Sequence, residues 1–366
     1  MMHHGIRLAI LGSLFLALLV PGRAVLGEMI AYQQTDLVTN STDPDLINPW
    51  GISSGATSPF WVSDNGTGKA TLYDGAGTKL GLIVNMPNSD PITGQVFNGT
   101  SNFNGNTFLF ASENGTIDGW KGGTNAAQVF AVADAVYKGL GISSAKDLLY
   151  AANFRAGTID VFDSAHTAPI GSFSDPTAPA GYAPFNIQNL GGKFYVTFAL
   201  QDAAKHDDVA GVGHGLIDVF NPVTNTFTRL VTGSAAGGTV DALNSPWGLA
   251  LAPSSFGPLG GSLLVGNFGN GWINGFDPNT GALVGSIRDA NGDPIVNPGL
   301  WGLKFGNNNA TFDPNALYIT AGGAAEDQGL FARINAVPEP SSGALGLIAV
   351  GLLAGWQIKR LAKTSS

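Results

Sequence analysis

Cysteine is absent from the 366 residues. A disulfide framework, a thiolate metal site and a thiol nucleophile are therefore all excluded, and the fold must be held by packing alone. Charge is also scarce: Asp, Glu, Lys and Arg make up 12% of the chain, about half the usual quarter. A long helical or coiled-coil protein, which needs Glu, Lys and Arg on its solvent faces, is excluded by that shortage. The charge present is mostly negative. With the five basic residues and the one acidic residue of the terminal segments set aside, residues 28–336 hold 25 acidic against 12 basic side chains, a net charge near −13. No basic stripe is left to neutralise phosphates, so nucleic acid and anionic lipid are poor partners. Long apolar runs are missing from everything except the two ends. Glycine, with 52 residues, and apolar side chains, at 44%, are abundant. This is a turn-rich β composition with enough apolar surface for a core, and global disorder is excluded.

The ends indicate export. Residues 8–20 form a 13-residue apolar run preceded by Arg7 and followed by Pro21, Gly22 and small residues near Gly27. That is the three-part layout of a secretory signal, with cleavage expected near Gly27, and it is too short for a comfortable membrane span. At the other end Val337-Pro338-Glu339-Pro340-Ser341-Ser342 leads into an apolar stretch, 343–356, and then Lys359, Arg360 and Lys363. A helix of that length covers about 21 Å against a hydrocarbon core of about 30 Å, so the tail is a marginal anchor whose basic end stays cytoplasmic. This order resembles the PEP-CTERM sorting tail of Gram-negative bacteria. The resemblance implies an exosortase as partner, a transient stay in the inner membrane through the C-terminal helix, and release to, or display on, the cell surface. A plain membrane anchor is the alternative. The expected division is a signal peptide over 1–27, one domain over 28–336 and a sorting segment over 337–366.

Within the domain a pattern recurs every 42 to 58 residues: Gly, a small or apolar residue two positions on, and a large apolar residue five positions on. Gly68/Ala70/Tyr73, Gly115/Ile117/Trp120, Gly157/Ile159/Phe162, Gly215/Ile217/Phe220, Gly271/Ile273/Phe276 and Gly329/Phe331/Ile334 are its six copies. Offsets of two and five point to opposite faces of a strand, so both faces are buried and each sheet lies between two others. A second strand precedes each copy, as in Phe60-Trp61-Val62-Ser63, and a glycine-rich first strand precedes that, clearest as Pro49-Trp50-Gly51-Ile52, Pro246-Trp247-Gly248-Leu249 and Leu300-Trp301-Gly302-Leu303. Gly139-Leu140-Gly141-Ile142, Pro184-Phe185-Asn186-Ile187 and Thr93-Gly94-Gln95-Val96 are weaker copies. Small residues suit strands crowded round an axis. The pattern predicts an all-β, six-bladed propeller of four-stranded antiparallel blades, with short apolar helices at both termini. The last unit is one strand short, and residues 31–39 are expected to pair into it and close the ring. The strand order resembles NHL-type propellers, and the whole chain resembles a family of uncharacterised PEP-CTERM-bearing propeller proteins. That resemblance brings no activity with it.

Antiparallel order puts the starts of first strands and the turns between second and third strands on one rim. Trp50, Trp247 and Trp301 are expected there near the axis, with Asp64, Glu113, Asn153 and Asn267, as a binding rim on which tryptophan faces stack against sugar rings. Wedge packing is the plainer reading of a repeated tryptophan. The long turn 199–214 falls on the same rim and carries Asp202, His206, Asp207, Asp208 and His214, which could coordinate Ca2+ or another divalent metal. Internal pairing of Lys205, Asp207 and Asp208 is the alternative. Neither Gly-x-Ser-x-Gly nor a His-Glu-x-x-His helix is present.

Two functions compete. One is an exported binding or scaffold module, with extracellular polysaccharide as partner. The other is a metal-dependent hydrolase like the propeller lactonases, although the inner strands offer Asn98, Asn186 and Gln188 and no carboxylate. A quinone-dependent dehydrogenase is disfavoured, because few histidines and no basic clamp are available.

Overall fold

A computed structural model describes residues 31–307 and 312–337. The apolar helices expected at the two termini lie outside them, and no described helix is long and apolar enough to cross a membrane. Six four-stranded antiparallel sheets form the ring. Their innermost strands are Pro49–Ser53, Ile92–Phe97, Tyr137–Ile142, Tyr182–Leu190, Pro246–Leu251 and Leu300–Phe305, in blades one to six. The six Gly-x-small copies open the third strands, for example Lys69–Tyr73 and Ile273–Phe276, whose faces are buried on both sides as the odd offset requires. Aromatic pairs join neighbouring blades: Trp61 stacks on Phe108 at 4.1 Å, Phe60 meets Tyr318 at 4.4 Å, and Tyr150 meets Phe194 at 4.7 Å. Such contacts add to the area term that holds sheet to sheet.

Every inner strand has a break in register at its start, and the bulged segment contains Trp50, Thr93, Lys138, Phe185, Trp247 or Trp301, one residue per blade. A bulge bends its strand and re-aims a side chain. In five blades the residue after it is glycine, and a Cβ there would strike the next blade. On Gly51 it would lie 2.5 Å from the Thr93 carbonyl oxygen, on Gly94 2.4 Å from the Leu140 nitrogen, and on Gly248 2.5 Å from the Trp301 carbonyl oxygen. Gly139 and Gly302 face Asn186 and Trp50 in the same way. In blade four the position is Asn186, whose Nδ2 donates to the Trp247 carbonyl at 2.8 Å. Side chains satisfy other inner carbonyls across the blades, Gln95 Nε2 donating to Gly51 O (2.7 Å) and Thr320 Oγ1 to Trp50 O (2.6 Å). Side chains thus pair backbone groups round the axis, where the inner strands of neighbouring blades belong to separate sheets.

The aspartate three residues after the repeat glycine is structural. Asp160 accepts from Tyr137, Asn153 and Ser172, and Asn274 replaces it in blade five by donating to Ala242 O and accepting from Ser286. Burial pushes the Asp118 and Asp218 carboxyls up to about 7. The sequence Asp289-Ala290-Asn291-Gly292-Asp293 is a turn in which Asp289 accepts the amides of Asn291 and Asp293, both at 2.9 Å.

The ring closes as the short last unit requires. Strand Ala31–Thr39 pairs antiparallel with Leu330–Val337 and becomes the outermost strand of blade six. Two further links tie it to blade five and the turn after it. The Tyr32 hydroxyl donates to Phe256 O and accepts from Leu259 N, both at 3.0 Å, and Gln34 and Asn297 exchange amide hydrogen bonds at 2.9 Å. Removing the buried hydroxyl orphans a carbonyl and an amide, so Tyr32→Phe is expected to lower stability in urea unfolding by about 2 kcal/mol. Deleting residues 31–39 is expected to abolish the cooperative transition, and an unchanged midpoint in either variant would contradict this account of the seam.

Candidate functional site

The face on which the inner strands begin is the upper face here. Trp50 and Trp301 stack at 3.4 Å, Trp247 stands edge-on to both at 5.8 and 5.7 Å, and Phe154, Phe185 and Phe268 complete the cluster. The three tryptophans gather at the axis as expected. Their exposures are 2%, 1% and 1%, however, so no face is left for a sugar ring. The reason is the bulge, which throws each ring onto its neighbours and makes a plug across the upper end of the channel. Two of the turns that feed it are strained: Asn48 (φ 45°) and Ser245 (φ 48°) are left-handed residues before proline, a conformation disfavoured for both reasons. Backbone hydrogen bonds to Gln328 O (2.7 Å) and His214 O (2.8 Å) hold them.

Lys138 is the charged member of the plug. Its ammonium lies 5.1 Å from the centre of the Trp50 ring and pairs with Glu113, from the blade two turn, and with Asp207 at 3.1 Å, from the long blade four turn. Its carbonyl accepts from Trp247 Nε1 at 3.0 Å. Burial disfavours the ammonium, but the two carboxylates outweigh that and its pKa is raised. Asp207 moves the other way: burial raises it, while Lys138 and His206 together more than compensate and hold it below the usual carboxylate range. Round this pair lie more polar groups. Asn65 Nδ2 donates to Glu113 at 3.0 Å, and Asn48 donates to Glu326 at 2.8 Å while accepting from Trp301 Nε1 at 3.0 Å. Burial, reinforced by Glu113, pushes the Glu326 carboxyl up. Trp50 Nε1 is a buried donor with no partner among the described residues. The result is a cup of carboxylates and amides above an apolar floor.

The expected site residues divide here. Glu113, His206 and Asp207 converge, their ligand atoms lying within 4.8 Å of one another, and this group can hold a divalent ion. Asp202 and His214 do not join them. Asp202 accepts the backbone amide of His206 at 2.8 Å, and the His214 ring bonds to Val209 O at 2.8 Å, so both fold the loop. Burial raises the Asp208 carboxyl. Asp64, Asn153 and Asn267 are buried within their blades, bonded to Thr71, Asp160 and Ala242 O. They share one repeat position because each ends a second strand, where a polar group must answer local partners. Sequence reasoning missed Lys138, Asn48, Asn65, Glu326 and the half-buried Trp272 of the blade five turn. Lys138-Gly139 standing where other blades have Trp-Gly was the available signal.

The chain is 36% identical over 311 residues to "Uncharacterized protein R648" of Acanthamoeba polyphaga mimivirus, covering 77% of this chain and 75% of that protein. "Uncharacterized protein L690" of the same virus is 35% identical, with 77% and 80% covered. The chain belongs to this family. At the C-terminal end, residues 336–360 match the PEP-CTERM protein-sorting motif, which marks an exported protein. Among solved structures, selenomethionine-substituted virginiamycin B lyase from Staphylococcus aureus superposes with a TM-score of 0.53 at 10% identity, covering 84% of this chain and all of that one. A streptogramin B lyase gives 0.52 at 10% identity, with 84% and 98% covered. At that identity the likeness is one of fold alone.

Lys138→Met would leave two carboxylates facing each other without their cation. We expect it to cost about 3–5 kcal/mol in urea unfolding and to create a stabilising response to Ca2+ greater than any the parent shows. Equal stability of variant and parent would show that the ammonium does not hold this rim together.

Proposed function

We propose that the protein is an exported binding propeller whose upper cup takes a hydroxyl-rich ligand, with extracellular polysaccharide as the ligand class. Residues 1–27 serve as signal peptide, residues 28–336 as the binding domain, and residues 337–366 as the tail that an exosortase processes. The tail rests in the inner membrane before the domain passes to the cell surface or outer envelope. The observation that carries the binding reading is the cup itself: Glu113, Asp207, Glu326, Asn48 and Asn65 are drawn from four of the six blades onto one floor. Carboxylates and amides accept and donate to sugar hydroxyls, and a preorganised cup loses little entropy on binding. Trp272, half-buried on the same rim, supplies an aromatic face that the plugged tryptophans do not.

A second reading, a metal-dependent hydrolase, is supported by the convergence of Glu113, His206 and Asp207. Its difficulty is Lys138, whose ammonium already pairs with both carboxylates of that set. A glycan array decides between the two. The binding reading expects a neutral-glycan signal that falls roughly tenfold in Glu326→Gln, a loss expected when a charged acceptor goes. An empty array, together with one metal equivalent that His206→Ala releases, would transfer the argument to the hydrolase.

A further inference from the structure

Below the plug the channel opens as a well of about 590 Å³ on the lower face, lined by the ends of all six inner strands. That volume is within the range of small-molecule sites, about 300–1,000 Å³. Its walls include Ile52, Leu140 and Leu249, the polar Gln188 and Ser54, and two lysines, Lys146 and Lys304. No carboxylate is among the lining residues. In a chain of net charge −9, two cations therefore share one well without a counter-charge on its wall. Lys146 Nζ has a single described partner, the Phe97 carbonyl at 3.1 Å. For Lys304 no ion pair or hydrogen bond is found among the described residues, and residues 308–311, Asn-Asn-Ala-Thr, add no acid by sequence. The Gln188 amide is likewise without a partner among the described residues.

One carbonyl is all that the described residues offer the two ammonium groups: Lys146 bridges to Phe97 of the neighbouring blade, and Lys304 has no partner among them. Elsewhere the ring holds its buried cation, Lys138, with two carboxylates. Here burial holds both ammonium groups below their usual range, and Lys146 pushes Lys304 further down. Desolvated like charges facing each other destabilise a fold unless an opposite charge comes between them. The equivalent wall positions in the other blades, Ser53, Val96, Gly141, Gln188 and Ala250, are uncharged, so the repeat does not impose a lysine.

We propose that this axial well is a binding site for a small oxyanion, a carboxylate or phosphate group held between Lys146 and Lys304, with the Gln188 amide as a further donor. It is independent of the upper cup, from which the plug separates it. The test is calorimetric titration of the purified full-length protein at low salt with inorganic phosphate and, separately, with citrate, which distinguishes the phosphate from the carboxylate source. One saturable site is expected for at least one of the two. Lys304→Gln is expected to weaken it roughly tenfold or more, Lys146→Gln less because its ammonium is partly committed to Phe97. Lys121→Gln, on the outer surface, should leave it unchanged. Removing an unpaired desolvated charge should also leave the melting temperature of ligand-free Lys304→Gln equal to or above that of the parent, which separates lost binding from lost folding. Failure of both anions to bind the parent, or undiminished binding by a folded Lys304→Gln, would overturn the proposal.

Discussion

The structure depends on how closely six inner strands approach one another. Their backbones come nearer than a methyl group allows: beside Gly94 the first atoms of the next blade would lie 2.4 Å from a Cβ. That approach needs glycine at the contact in five blades and, in blade four, Asn186 bonded to the next blade, a bulge to turn the strand, and cross-blade hydrogen bonds in place of a shared sheet. Once those are met, everything else at the axis follows. The bulged residue has only the axis to point at, so one side chain from each blade meets there, and three of them are indoles large enough to fill the space. With no disulfide available, this packing and the closing strand are what prevent the ring from opening at its seam.

The plug also divides the molecule electrically. Above it, carboxylates from several turns crowd round one lysine; below it, two lysines face a well without acids. A channel open from end to end would let water screen both groups. Closure by tryptophan keeps each cluster in a partly desolvated setting where a missing or added charge has a large effect. The function proposed for each face rests on this separation, and the two can be altered independently.

Much of this architecture was legible in the chain. The six turn glycines with their odd offset give the blade count, and the strand missing from the last unit gives the closure by residues 31–39. The position of the tryptophans was legible too, but not their burial, because a bulge leaves no periodic mark and a strand read without it leaves Trp50 free to face solvent. Lys138 escapes for a related reason: the copy in blade three reads most naturally as Gly139-Leu140-Gly141-Ile142, two residues late, which hides the lysine at the tryptophan position. The chemically rich loop misled in the opposite direction. Asp202 and His214 lie close to His206 in sequence, yet a tight loop has backbone amides and carbonyls that need partners, and those two side chains serve them. Glu113, from another blade, replaces them. Lys146 and Lys304 are meaningful only together, and ring closure alone makes them neighbours.

Urea unfolding of Gly94→Ala, set beside Gly81→Ala, tests the central constraint most directly. A Cβ at Gly81 meets nothing within 4 Å, whereas at Gly94 it meets only backbone of the next blade. We expect the first change to cost about 3 kcal/mol or more and the second to stay within about 0.5 kcal/mol of the parent. Equal stability of the two variants would mean that the inner strands are not packed backbone to backbone, and would contradict the account of the ring built on that contact.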